Sequence, residues 1–146
     1  GGRGGLWFVQ GDAESLPLPD EAFDAATVGF GIRNVADLDR ALRELYRILR
    51  PGGRLVILEF GRPRNVLFRA LYDLYSFTVI PWLGRRISRH PDAYLYLPVS
   101  IRTWPDQAAF PECLRRAGFC SVQVHDLAGG AVVVYVACKP RREGEG

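Results

Sequence analysis

The chain has 146 residues, which fits one domain with a core of its own, and its net charge of +3 is too small to argue for a nucleic-acid partner. Hydrophobic residues make up 48% of the sequence, but no apolar run approaches the roughly 20 residues that cross a bilayer. The three cysteines have no metal-ligand spacing, so we expect free or buried thiols in a reducing compartment, with neither a disulfide framework nor a bound metal.

The N-terminal part of the chain predicts two strands separated by a loop. Leu6 to Val9 is a short apolar run that ends in a glycine-aspartate pair, and it predicts the first strand. The segment "SLPLPDEAF" contains two prolines, which favour a loop. Ala25 to Phe30 is a second strand-like run of small and apolar residues, bounded by glycines.

An amphipathic helix follows the second strand. Its apolar residues recur at helical spacing, and they are Val35, Leu38, Ala41, Leu42, Leu45, Ile48 and Leu49. Asn34 or Asp37 is the expected N-cap, and Pro51-Gly52-Gly53 is the expected end of the helix.

The apolar run Leu55 to Phe60 predicts a strand that is covered on both faces, as parallel strands usually are. Strand, helix, turn and strand over roughly thirty residues make a right-handed βαβ unit, which puts the chain in the α/β class. Further along, "DQAAFPECLRRAGF" predicts a short helix closed by Gly118, and Gly129-Gly130 predicts the turn of a hairpin. Residues 141–146 are expected to be a disordered tail.

Polar residues follow three of the predicted strands at their carboxyl ends. Asp12 follows the first strand, Arg33 and Asn34 follow the second, and Glu59 ends the third. Ligands of open α/β sheets bind at this edge, so together these residues favour a ligand site. A helix cap or a turn explains each of them singly, and their spacing does not name a reaction.

Five sequence blocks carry a resemblance to a known enzyme family. They are "GDAESLPLPDEAFD", "FGIRNV", "RILRPGGRLVILEF", "YDLYSF" and "SIRTWPDQ", and they lie between about Val9 and Lys139. In this order they resemble the signature blocks of the ubiquinone/menaquinone biosynthesis C-methyltransferases. The resemblance implies an α/β fold with a partial Rossmann-like class I methyltransferase sheet, equivalent to strands three to seven, with the last strand antiparallel.

The resemblance places residues 1–140 in the C-terminal portion of the family's domain. The family's first strand and its glycine-rich cofactor loop precede position 1. The "GGRGG" segment does not replace that loop, because it comes before a strand and not after one. The strand at Leu6 to Val9 is therefore expected to lack the neighbour that it has in the family sheet, and to be loosely attached or misplaced.

The resemblance implies S-adenosyl-L-methionine as the cofactor. Asp12 and Ala13 match the family's adenine-binding pair, and Gly29 stands where many relatives have a small residue that lines the cofactor cleft. The alternatives are an aspartate that only ends a strand and a glycine that is required for packing.

Arg33 and Asn34 are the candidate catalytic residues at the reacting ring. A guanidinium is too basic to serve easily as a general base, but it suits holding an anionic ring oxygen or positioning a water that takes the ring proton. Arg33 is alternatively a solvated loop residue, and Asn34 is equally well a helix cap.

The "YDLYSF" block supplies further candidates. Asp73 is the alternative catalytic base, and Tyr72 and Tyr75 are candidates for the quinone pocket. The competing interpretation is an amphipathic helix whose aromatic residues fill the core. Ser100 and Arg102 belong to the block that begins "SIR", and they are candidates for closing the substrate side of the site.

The implied reaction is C-methylation of a polyprenyl quinol ring, with demethylmenaquinol or its benzoquinol counterpart as the substrate. The alternative is a truncated, non-catalytic module or fragment that acts as a binding or assembly partner in quinone biosynthesis. We expect a cytoplasmic protein with no nucleic-acid partner. We predict weak peripheral contact of Arg62 to Arg89 with the inner face of the membrane, and the alternative for this segment is a lid packed over the cleft. A homo-oligomer or a quinone-biosynthesis complex is the candidate assembly.

Overall fold

The computed structural model describes residues 5–61 and 108–142, together with the single positions Leu74, Thr78 and Trp82. Its strands are β1 (Phe23–Gly29), β2 (Leu49–Phe60), β3 (Cys120–Leu127) and β4 (Val132–Cys138), and its α-helices are α1 (Leu38–Ile48) and α2 (Phe110–Arg116). Short 3-10 turns lie at Ile32–Asn34 and Ala128–Gly130. Among these residues the strands form a single sheet in the order β1-β2-β4-β3.

The sheet is mixed, and its first part is the predicted βαβ unit. β1 and β2 are parallel, and α1 connects them. The register pairs Ala26 with Leu55 and Val28 with Ile57. β4 lies antiparallel to both β2 and β3. The α/β class and the antiparallel last strand are therefore confirmed.

The core lies on one face of the central strands. Leu55 and Ile57 of β2 are buried there, and so are alternate residues of β4 such as Val133 and Tyr135. α1 and α2 contribute to the same cluster with Ala41, Leu42, Leu45, Ile48, Phe110 and Leu114. The α1 residues of this set are those that helical spacing predicts. Burial of each Leu or Ile side chain is worth roughly 1.5–3 kcal/mol, which holds the helices on the sheet.

The two ends of α1 show which residue is its N-cap and where the helix stops. Asp37 is the N-cap, since its side chain accepts a hydrogen bond of 2.9 Å from the amide of Arg40. Asn34 lies in the preceding 3-10 turn and is not the cap of α1. The helix ends at Ile48, before Pro51-Gly52-Gly53, so the expected end there was wrong.

The segment from Leu49 to Gly53 instead belongs to an irregular start of β2. Phe23 of β1 pairs with Leu49, and Ala25, two residues later, pairs with Arg54, five residues after Leu49. The extra residues of β2 between these two pairs form a bulge. Gly53 lies at the crowded point, because a Cβ atom there would meet the Arg50 carbonyl oxygen at 2.8 Å. The two glycines thus allow a bulge within the strand.

The strand predicted at Leu6 to Val9 is not formed. These residues have no strand assignment, and Leu6, Trp7 and Phe8 are 82%, 85% and 91% exposed. The strand prediction was wrong, whereas the expectation of loose attachment is confirmed. An apolar run forms a stable strand only when a neighbour satisfies its backbone groups, and the described residues supply no neighbour here.

The C-terminal elements agree with the sequence predictions. α2 begins with Pro111 in its first turn, and Gly118 follows it with φ +104°. The hairpin of β3 and β4 turns at Gly129 and Gly130, both with positive φ. The three cysteines are free. None of the helices in the described ranges is long and apolar enough to cross a membrane.

Candidate active site

A buried ion pair joins the carboxyl ends of β1 and β2. Arg33 lies in the 3-10 turn after β1, and its Nη1 donates to Oε1 of Glu59 near the end of β2. The side chains of Arg33 and Glu59 are 7% and 0% exposed. Because both charges are removed from water, each depends on the other for compensation. Arg33 is therefore not a solvated loop residue.

Two phenylalanines enclose the ion pair. The carbonyl of Phe30 accepts a second hydrogen bond from Arg33 Nη1, at 2.8 Å. The guanidinium carbon lies 5.3 Å from the centre of the Phe60 ring, and that ring lies 4.5 Å from the Phe30 ring. Phe30 has φ +53°, a left-handed conformation that a bulky residue rarely adopts. Backbone strain of this kind is concentrated at functional sites.

The loop before β1 is attached to the start of α1. Asp12 Oδ1 accepts a hydrogen bond of 2.9 Å from the Glu14 amide, which makes a tight turn. Glu14 Oε1 in turn accepts from the amides of Ala36 and Asp37, at 2.7 and 2.9 Å. These contacts hold Asp12 and Ala13 next to the turn that carries Arg33.

Glu44 and Arg47 of α1 fasten the rest of this loop. Glu44 Oε2 accepts from the Leu16 amide at 2.7 Å, and Arg47 donates to the carbonyls of Leu16 and Leu18. The hydrogen bond from Arg47 lowers the pKa of Glu44 to about 2, with a further contribution from the Leu16 amide. Hydrogen bonds to Glu44 and then Asp20 raise the pKa of Arg47 above its usual range.

The loop, β1 and α1 enclose an apolar cavity of about 470 Å³. Ala13 and Leu16 line it from the loop, Val28 from β1, and Gly31 and Val35 from the segment around Arg33. The cavity runs along β1 from Phe23 to Val28, and it reaches the carboxyl end of that strand, where ligands of α/β sheets bind, at Gly31 and Ile32. Among the described residues, no cluster of His, Cys, Asp and Glu suits a metal ion.

The structure brings together part of the predicted site. Ala13 lines the cavity together with Ile32, which precedes Arg33 and Asn34 in the 3-10 turn, and Asp12 is exposed on the adjoining loop. Gly29 ends β1, and apart from its two chain neighbours no atom of the described residues lies within 4 Å of the place where its Cβ would be. The candidates of the middle segment lie outside the described residues, and they are Tyr72, Asp73, Tyr75, Ser100 and Arg102.

Glu59 is among the polar residues predicted at strand ends, but sequence reasoning does not identify it as the partner of Arg33. A signal for it exists in the pattern of β2, since "RLVILEF" has its one carboxylate in phase with the buried Leu55 and Ile57. A charge at such a position requires a buried partner of opposite sign. Arg33 follows the neighbouring parallel strand at the same edge of the sheet, and it is the partner that the structure shows.

Comparison with known proteins gives consistent matches. A family model described as the ubiE/COQ5 methyltransferase family matches residues 2–139. A demethylmenaquinone methyltransferase of Mycolicibacterium paratuberculosis is 48% identical over 92% of this chain and 58% of the relative. A ubiquinone/menaquinone biosynthesis C-methyltransferase UbiE of Cellvibrio japonicus is 44% identical over 94% of this chain and 55% of the relative. The chain thus spans a little over half the length of these relatives.

A solved structure shares the fold. An S-adenosylmethionine-dependent methyltransferase of Thermotoga maritima superposes with a TM-score of 0.61 at 27% identity. The match covers 92% of this chain and 65% of that protein. The four-strand sheet with its antiparallel β4 is therefore the arrangement found in class I methyltransferases.

Proposed function

Because this chain belongs to the ubiE/COQ5 methyltransferase family, we propose that the natural protein carrying it transfers a methyl group from S-adenosylmethionine to a ring carbon of a polyprenyl quinol. The names of the relatives support a quinone-type substrate, and we propose demethylmenaquinol or its benzoquinol counterpart. The observation that carries the proposal is the buried Arg33–Glu59 pair at the carboxyl ends of two parallel strands, beside an apolar cavity.

The residues around the cavity fit S-adenosylmethionine. An apolar wall that includes Ala13 suits a flat adenine ring, and the carboxylate of Asp12 can accept a hydrogen bond from an amino group. Gly29 leaves open space at the end of β1. When bound, this cofactor supplies an electrophilic methyl group on a sulfonium.

We assign Arg33 and Asn34 to the aromatic substrate. A guanidinium held in place by Glu59 is suited to an anionic ring oxygen, since its donors are oriented before the substrate arrives. The ring proton then leaves to a water positioned by Arg33, with Asp73 as the alternative acceptor. Tyr72, Tyr75, Ser100 and Arg102 remain proposed substrate contacts, because they lie outside the described residues.

Weak peripheral contact with membranes is part of the same proposal. The polyprenyl tail of such a quinol partitions into lipid, and residues 62–89 combine arginines with aromatic residues in the sequence. Flotation with anionic liposomes at low salt tests this. Protein that stays entirely in the soluble fraction contradicts membrane contact.

Cofactor binding and turnover test the proposed function directly. The full natural protein is expected to bind S-adenosylmethionine in calorimetry and to add one methyl group to demethylmenaquinol, as detected by mass spectrometry. An R33A variant should bind the cofactor but lose most turnover. Residues 1–146 are measured in parallel, and an absence of S-adenosylmethionine binding by these residues excludes catalysis by them alone and favours the non-catalytic module.

A further inference from the structure

The carboxylate of Glu59 is in an unusual environment for a charged group. Its side chain is fully buried, and it occupies a core-facing position of β2 directly opposite the apolar Val133 of β4. A buried carboxylate is costly, so its presence requires compensating interactions or a role.

Only one of its two oxygens is compensated. Oε1 accepts from Arg33 Nη1 and from the Phe60 amide, the latter at 3.0 Å. Oε2 is buried as well, and it has no hydrogen-bond partner among the described residues. An unsatisfied buried acceptor is unfavourable, and more so when it is charged. A hydrogen-bond donor absent from the described residues would remove that cost.

The other contacts of this cluster fix the orientation of Arg33. The strained Phe30 turns its carbonyl toward Arg33, and the guanidinium lies over the Phe60 ring, which packs against the Phe30 ring. Glu59 is the only acidic side chain that pairs with Arg33 in the described ranges. Both hydrogen bonds described for this carboxylate are made by Oε1, so the acceptor capacity of Oε2 is left for another donor.

We propose that Glu59 is the positioning residue for Arg33, and that its Oε2 accepts a hydrogen bond from an O–H donor that enters the site with the aromatic substrate. A ring hydroxyl and a water molecule share this chemistry. No covalent bond is made or broken at Glu59. This inference rests on the proposed function, in which Arg33 faces the ring oxygen.

Kinetics of the full natural protein test the positioning role. E59Q is expected to lower kcat by about 10–100-fold, the size expected when a catalytic group is misplaced by about 1 Å. In an R33A background the same substitution should lower kcat by less than about 3-fold, because Glu59 acts through Arg33. An equal loss in both backgrounds overturns the inference.

A second variant separates positioning from simple charge neutralisation. E59D keeps the charge but withdraws the carboxylate by one methylene, so kcat should fall about 10-fold while KM for S-adenosylmethionine is unchanged. Full activity of E59D overturns the positioning role. D24N is the matched control, since Asp24 pairs with Arg50 at 2.7 Å on the surface, and its kcat should equal that of the unsubstituted protein.

Ligand binding tests the second oxygen without relying on turnover. In calorimetry, E59D should bind 1-naphthol at least about 5-fold more weakly than the unsubstituted protein does. If the donor is the ring hydroxyl, the unsubstituted protein should also bind 1-methoxynaphthalene, which lacks that hydroxyl, less tightly than 1-naphthol. Equal weakening of both ligands by E59D identifies a water donor, whereas unchanged affinities overturn the role of Oε2. If E59D weakens ligand binding but the unsubstituted protein transfers no methyl group, only the proposed function is contradicted. If the protein transfers a methyl group but E59D leaves ligand binding unchanged, only this inference is contradicted.

Discussion

Lys139, the only lysine of the sequence, donates a hydrogen bond of 2.8 Å from its Nζ to the carbonyl of Leu49, the C-cap of α1. The same ammonium donates to the carbonyl of Tyr46 at 3.0 Å and lies 4.5 Å from the centre of the Tyr46 ring. The last carbonyls of a helix lack intrahelical partners and carry partial negative charge. Lys139, which follows β4, therefore joins the end of the sheet to the end of α1.

Replacing Lys139 by methionine should destabilise the fold markedly. K139M keeps the aliphatic volume but leaves two carbonyls without their charged donor, and we expect a loss of about 2–4 kcal/mol in the free energy of unfolding. Urea denaturation measures this. R116M is the control, because Arg116 makes an exposed ion pair with Asp39 and a weak hydrogen bond to Cys113 Sγ, and its effect should stay within about 0.5 kcal/mol. Equal losses for the two variants would contradict the capping role.

The Glu44–Arg47 pair predicts a pH dependence. The folded protein lowers the pKa of Glu44 from 4.5 to about 2, so the folded state binds fewer protons than the unfolded state between these values. The stabilisation is complete above about pH 4.5 and is lost as the pH falls toward 2. After allowance for solvent screening we expect about 1–2 kcal/mol.

Denaturation midpoints between pH 5 and pH 2.5 check this prediction, with the E44Q variant beside the unsubstituted protein. The difference in stability between them should shrink as the pH falls. E112Q is the matched control, because Glu112 pairs with Arg115 at the same helical spacing but on the surface. A constant gap between E44Q and the unsubstituted protein would show that Glu44 does not titrate in this range.

Local patterns predicted the elements that depend on short-range chemistry. Helical spacing identified the buried face of α1, and a glycine pair identified the turn at Gly129. The error at Leu6 to Val9 has a different cause, since a short apolar run indicates what a strand can bury but not whether a neighbour pairs with it. The end of α1 was misplaced because glycines serve a bulge as well as a helix terminus.

The site could be predicted from the sequence only where a polar or charged residue directly follows a predicted strand. Arg33 was identified in this way, but its partner Glu59 lies 26 residues away and meets it only through the parallel pairing of β1 and β2. Their separation in the sequence matches no helical or strand repeat, so no local pattern links the two residues. Tertiary pairing of this kind therefore requires the register of the sheet, which the sequence pattern does not give.

Glu14, which lies in the loop before β1, should stabilise the start of α1. Its Oε1 accepts from the amides of Ala36 and Asp37, just before α1, where donors are unpaired and negative charge is favourable. E14A is expected to lower the free energy of unfolding by about 1–2 kcal/mol. E14Q keeps one acceptor oxygen without the charge, so about half of that loss should remain. Urea denaturation gives the free energy of unfolding of both variants. An E14Q protein that is less stable than E14A would contradict the proposed role of Glu14.

Gly29 offers a test of the cofactor cleft that spares the fold. A Cβ at this position meets no atom within 4 Å, so G29A and G29V should leave the free energy of unfolding nearly unchanged. The added atoms would occupy the space proposed for S-adenosylmethionine, and we expect the affinity of the full natural protein to fall about 10-fold for alanine and further for valine. G53A is the contrasting control, because its Cβ would lie 2.8 Å from the Arg50 carbonyl and should destabilise the fold by about 2 kcal/mol. Calorimetry reports the affinities, and wild-type affinity in G29V would place the cofactor away from the end of β1.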